Sequence, residues 1–155
     1  MKKMNNKGFS LVELIVVIAI MAVLIGVLAP QFMKYVEKSR ESTDIQNLDT
    51  CISAVRTYYA DKDTDVTSVT ISGTKGNPLS GDNAALSDAG CANSIVKGDW
   101  GTGGISATIN MSTGAVTYSG TAKHYKAKAD SSGFEAVTST PSPSPSPTNP
   151  PAQGN

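Results

Sequence analysis

Hydrophobic and polar positions along the chain change period more than once, and each change predicts an element. From Leu14 to Ala29 every residue is apolar or glycine. The run extends back to Phe9 and forward to Pro30, interrupted only by Ser10 and Glu13. As a helix it spans about 30 Å, the thickness of a bilayer's hydrocarbon core. Apolar side chains surround that helix on all faces, so it belongs in lipid or among other helices. Beyond Pro30 the pattern narrows to one stripe: Ile45, Leu48, Ile52, Val55 and Tyr59 recur at alternating spacings of three and four. Cys51 sits at the edge of that stripe. The intervening stretch from Lys34 to Asp44 is polar and mixed in charge, which reads as a solvated surface or a contact with neighbouring chains. One helix from Phe9 to Ala60 would be about 75 Å long, and the polar ADKDTD segment ends it.

The amphipathic half must pack its stripe on something, and the remaining pattern predicts a small antiparallel sheet. ISATINM (105–111) alternates Ile, Ala, Ile and Met on one face with polar residues on the other. STG turns the chain so that AVTYS (115–119) returns as a hairpin. Further strands are expected at AKHYKAK (122–128) and FEAVTS (134–139), with DSSG between them, and a short one at Val66–Ile71. Residues 73–104 read as a long loop with one helical turn near Ala84–Leu86. From Pro141 the chain alternates proline with serine, which excludes both helix and ladder and reads as an extended tail. The fold class is α+β: a long N-terminal helix packed on a meander of about four strands. The domain reading is a leader at 1–8, an apolar helix at 9–30 and its amphipathic continuation at 31–60. A globular part at 61–140 and the tail at 141–155 follow.

Composition and charge sharpen this picture. Charged residues are 17% and aromatics 6% of 155 residues, and the formal net charge is zero. Lys2, Lys3 and Lys7 all precede Gly8; without them, acidic residues exceed basic ones by three. Such a product lacks the basic face that nucleic-acid binding requires. The same lysines place the N-terminus in the cytoplasm and the bulk of the chain outside. LAPQF after the apolar run is not a secretory A-x-A cleavage site; the plausible cut lies before the run, after Gly8. Cys51 and Cys91 both follow the run. On an extracytoplasmic side they read as a disulfide that staples the long loop to the helix; two unpaired buried thiols are the alternative. A metal site is disfavoured because His124 is distant and no C-x-x-C occurs.

KGFSLVELIVVIAIMAVLIGVLAP resembles the N-terminus of a type IV prepilin: a short basic leader ending in glycine, then phenylalanine, a glutamate at the fifth following position and a proline closing the run. The resemblance covers roughly residues 3–60 by pattern. It implies cleavage after Gly8 and N-methylation of Phe9 by a membrane-embedded prepilin peptidase. Glu13 falls on the glutamate that supports assembly. Physically, cleavage creates a cationic amine at Phe9, and in a polymer of packed helices Glu13 of one subunit lies near the amine of another. Low dielectric strengthens that attraction, and a subunit in the wrong axial position leaves a charge buried alone. Gly26 and Pro30 are expected to bend or melt the helix. Proline removes a backbone donor and clashes with the carbonyl four residues back, which is that of Gly26; glycine lowers the cost of melting by about 1 kcal/mol. The cysteines of the family usually bracket a C-terminal loop, so the Cys51–Cys91 spacing departs from it.

Other motifs carry less. Asp61, Asp63 and Asp65 match the first ligand positions of an EF-hand loop, but Val66 and Ser72 stand where glycine and glutamate are needed. GDWGTGGIS lacks the spacing of a phosphate loop and reads as a turn with Trp100 packing nearby. Lys123, His124, Lys126 and Lys128 form a basic patch best read as a solvated strand face. No nucleophile–base pair stands out, so neither an enzyme nor a cofactor is expected. The resulting expectation is a pilus subunit, polymerised with identical copies and involved in adhesion, motility or aggregation. Its implied partners are the prepilin peptidase, a platform protein, an assembly ATPase and the cytoplasmic membrane, and its implied destination is an extracellular filament. The alternatives are a pseudopilin of a secretion or DNA-uptake system and a membrane-anchored surface protein that never polymerises.

Overall fold

The computed structural model describes residues 10–60, 62, 65–88 and 90–138. The leader with Gly8 and Phe9, Asp61 and Asp63 of the acidic motif, and the proline-rich tail lie outside the described residues. Helix α1 runs from Leu11 to Ala60, with Pro30 inside it. Its 50 residues make a rod of about 75 Å. The first buried residue along it is Glu41, followed by Asp44, Leu48, Cys51, Ile52 and Val55. The N-terminal part therefore projects from the head as a bare helix, while the C-terminal part is the spine of the head.

The head opens with β1 (Ser68–Gly73), pairs it with β2 (Ile105–Asn110) and adds β3 (Val116–Ser119), all antiparallel in the order β1-β2-β3. Alternation works as the sequence predicts: Ile105, Ala107 and Ile109 face inward, opposite Val69 and Ile71 from β1. Those side chains pack on Leu48, Ile52 and Val55 of α1. The segment between β1 and β2 is more ordered than a plain loop. It holds a short helix α2 (Asn83–Asp88), a 3-10 turn at Cys91–Asn93 and isolated bridges at Ser72–Ser80 and Pro78–Ile95.

A second hairpin, β4 (Tyr125–Ala127) with β5 (Phe134–Ala136), forms its own two-stranded sheet. The expected meander is thus divided in two, at the segment between β3 and β4. Gly120 leaves the β3 direction at φ +140. The β3 edge then meets a turn rather than a strand, since Tyr118 N–H donates to Ser131 O at 2.8 Å. His124, just ahead of β4, is held by α1 instead of by β3. Gly104, at φ +66, starts β2 where an added Cβ would stand 2.3 Å from Gly73 O, so only glycine fits this crossing.

Candidate assembly element

The bare part of α1 exposes Leu11, Val12, Leu14, Ile15 and the apolar residues that follow through Leu28. Its membrane-length apolar window has none of its residues buried in the fold. A patch of this size requires lipid or other protein against it. At its tip, Glu13 Oε2 accepts the Ser10 backbone N–H at 2.9 Å. Serine followed three positions later by glutamate is the sequence of a capping box, and this bond is its glutamate half. The single subunit thus occupies Glu13 with its own helix end, a partner that the reading of Glu13 as a register charge did not include. At Gly26 an added methyl would meet nothing within 4 Å. Within one chain, lack of space does not account for glycine there.

Where the head begins, two carboxylates turn inward. Asp44, 1% exposed, receives three donors from one loop. The Lys97 backbone N–H lies 2.9 and 3.1 Å from its two oxygens, Gly98 N–H donates to Oδ2 at 2.6 Å, and the Trp100 indole N–H donates to Oδ2 at 3.0 Å. Successive backbone N–H groups aimed at one anion form a nest, which compensates a carboxylate removed from water without a cation. Gly98 permits this approach, because a Cβ there would lie 2.9 Å from Asp44 Oδ2 and 3.0 Å from Trp100 Nε1. One turn earlier, Glu41 is 0% exposed. Its Oε2 accepts the His124 backbone N–H at 2.9 Å, and its Oε1 lies 3.1 Å from His124 Nδ1. Asp44 holds the loop before β2 and Glu41 holds the approach to β4, so both sheets are fixed to the helix at its point of emergence.

This corrects two readings. The Lys34–Asp44 stretch is not polar surface throughout, because its last turn carries the most buried charges of the head. The basic patch is also divided: His124 turns toward Glu41, while Lys126 pairs with Glu135 at the surface, 3.3 Å apart. The signal for the buried carboxylates was present. Stepping back from Leu48 by four and then three residues lands on Asp44 and Glu41, the same stripe continued with polar residues.

Further along α1, side chains tie down the outer end. Tyr59 O–H donates to Asp82, whose Oδ1 also accepts the N–H groups of Ala84 and Ala85 at the start of α2. The Tyr59 bond, helped by those N–H groups, holds the Asp82 carboxyl below its ordinary range. The same bond and partial burial push the Tyr59 phenol up to about 12. Tyr118 O–H donates to Asp49 at 2.9 Å; burial first, then that bond, also pushes its phenol up to about 12. Arg56 donates to Gly114 O in the β2–β3 turn. Cys51 and Cys91 both lie in the buried core cluster, unjoined in this structure. Among the described residues no cluster of three His, Cys, Asp or Glu is placed to hold a metal ion.

Comparison with known proteins bears on the helix. Residues 3–29 match the family described as the prokaryotic N-terminal methylation motif. The chain is 34% identical over 59 residues to the type IV major pilin protein PilA of Myxococcus xanthus, covering 38% of this chain and 27% of that protein. It is 39% identical over 62 residues to the fimbrial protein EcpC of Eikenella corrodens, 40% of each chain. With the type IV narrow pilus major component PilA5 of Thermus thermophilus it shares 35% over 57 residues, 37% of this chain and 46% of that one. The chain thus spans less than half the length of each of these relatives. No solved structure matches. Residues 3–29 thus match the prokaryotic N-terminal methylation motif, and over 57 to 62 residues the chain is similar to proteins described as type IV pilus or fimbrial components.

Proposed function

We propose that this protein is the precursor of a major pilin, cut after Gly8, methylated at Phe9, stored in the cytoplasmic membrane through residues 9–30 and then drawn into a helical filament. The observation that carries this reading is the junction of a methylation motif at residues 3–29 with a continuous helix whose apolar half is uncovered and whose other half carries the head. Packing apolar helices of many copies together removes that surface from water and lipid, leaving the heads outside. In the single subunit Glu13 rests on Ser10 N–H; in the filament it turns to the Phe9 amine of a neighbour, which sets the axial step. Gly26 and Pro30 allow the helix between them to unwind on assembly. The prepilin peptidase, a platform protein and an assembly ATPase act on it in turn, and the fibre serves adhesion, motility or aggregation.

The test is to shear the producing cell and read the N-terminal peptide of this protein by mass spectrometry. A singly methylated peptide beginning at Phe9 in the sheared fraction supports an exported fibre subunit. The same peptide confined to membranes indicates a pseudopilin, and an intact Met1 leader there, with peptidase active, indicates a plain anchor.

A further inference from the structure

Cys51 lies on the buried face of α1 and is 0% exposed; Cys91 opens the 3-10 turn after α2 and is 3% exposed. Both side chains belong to one buried core cluster, and the 3-10 turn that Cys91 opens packs directly on α1. Sequence-distant elements bring them there: Tyr59 holds Asp82 at the head of α2, and α2 packs along α1 so that the following turn delivers Cys91 to Cys51. Burial, and then the neighbouring thiol, push the Cys51 pKa up, so the folded core disfavours the thiolate that a nucleophile or metal ligand requires.

We propose that Cys51 and Cys91 are a covalent bond site, joined as a disulfide in the exported head before the core closes over them. This rests on the reading that the head lies outside the cytoplasmic membrane. The oxidant is an extracytoplasmic thiol–disulfide oxidoreductase in its disulfide form. One cysteine, as thiolate in the open chain, attacks a sulfur of that disulfide, forms a mixed disulfide and expels the catalyst's other sulfur as thiolate. The second thiolate attacks the first cysteine's sulfur and releases the catalyst as dithiol. Two electrons leave with the catalyst, and the two protons of the cysteine thiols pass through solvent to its thiolates. Timing follows from burial, since the finished core admits neither a catalyst nor a reductant. The bond encloses the C-terminal turns of α1, β1 and α2 in one covalent loop. Asp44 and Glu41 hold the inner end of the head by hydrogen bonds, and this bond joins the outer connecting segment to the rod. A pull along α1 then reaches that segment through covalent structure.

The experiment uses full-length protein from detergent-solubilised membranes and from sheared material. It is denatured with a thiol-alkylating maleimide, with and without prior reductant, and weighed. Protease added to intact cells reports independently where the head lies. The expected result is no label without reductant, two labels after reduction, and a Cys51–Cys91 cross-linked peptide. Reduction during unfolding, or the Cys51→Ala and Cys91→Ala changes, should each lower the melting temperature by about 10 °C or more. Two labels without reductant on a head that external protease digests overturns the disulfide and leaves the location intact. Two labels on a protected head overturns both.

Discussion

Asp44 Oδ2 accepts the indole N–H of Trp100 at 3.0 Å, in a part of the head where both residues are almost fully buried. Trp100 also stands edge-on to Phe134 of β5, with ring centroids 5.2 Å apart. One helix carboxylate thereby positions the largest side chain of the core, and that side chain supports the second sheet.

Removing that acceptor should therefore be costly. Asp44→Ala leaves two backbone N–H groups and the indole N–H without partners in a closed site, a loss of about 3–5 kcal/mol. Asp44→Asn keeps one acceptor oxygen but aims an NH2 group at donors, for about 2–4 kcal/mol. Thermal unfolding of the purified full-length chain reads both; a melting temperature unchanged by Asp44→Asn would remove the clamp from the account.

His124→Ala should be milder than Asp44→Ala. Glu41 keeps the His124 backbone N–H and loses only the ring partner, so the expected cost is about 1–2 kcal/mol. Glu41→Ala removes both bonds and should exceed it. The order of the melting temperatures of the three variants checks this ranking.

The Tyr59–Asp82 contact sets a pH window for the α1–α2 junction. Asp82 has a depressed folded pKa, so its contribution is present above the ordinary carboxylate value near 4 and fades as pH falls through the lower folded value. Tyr59 has a raised folded pKa, so its contribution is complete below its ordinary value of 10.0 and is lost as pH rises through about 12. Tyr59→Phe should flatten the alkaline arm between those values, leaving the part that Tyr118 contributes. Amide hydrogen exchange in α2, followed against pH, measures the effect.

Gly104→Ala should destabilise the head by about 2–4 kcal/mol. It combines a left-handed backbone with a Cβ directed into Gly73 O, which belongs to the paired strand. Gly114→Ala is the control: its φ is also positive, at +71, but nothing lies within 4 Å of the added methyl, so only about 1–2 kcal/mol is expected. Denaturant unfolding midpoints of the two variants separate strain from collision.

Glu13→Gln should spare the fold of the head, which Glu13 does not touch, and still permit the helix-end bond to Ser10 N–H. It removes only the charge. Under the proposed function, cells should retain membrane-held protein with a normal melting temperature and show at least a tenfold drop in sheared fibre, quantified by immunoblot. Fibre at the original level would reduce Glu13 to a helix cap.

Much of this protein was legible along the chain because its largest features are periodic and local. The apolar run, the stripe from Ile45 to Tyr59 and the alternation in Ile105–Met111 each repeat with the period of the element they form, and the structure places α1 and β2 there within a residue or two. The fixed spacing from the basic residues to Glu13 falls within the motif matched at residues 3–29. What only the tertiary structure decided depends on groups that meet from far apart. Asp44 and Glu41 are surface-like residues by composition, and their burial is tolerated only because donors from Lys97, Gly98, Trp100 and His124 arrive to receive them. The same attachment draws β4 to the helix and divides the expected meander into two sheets. Cys51 and Cys91 enter one buried cluster as Asp82 binds Tyr59 and α2 lies along α1. A periodic pattern identifies which face of an element is buried; which polar groups can be buried on that face is settled by the partners that folding brings to them.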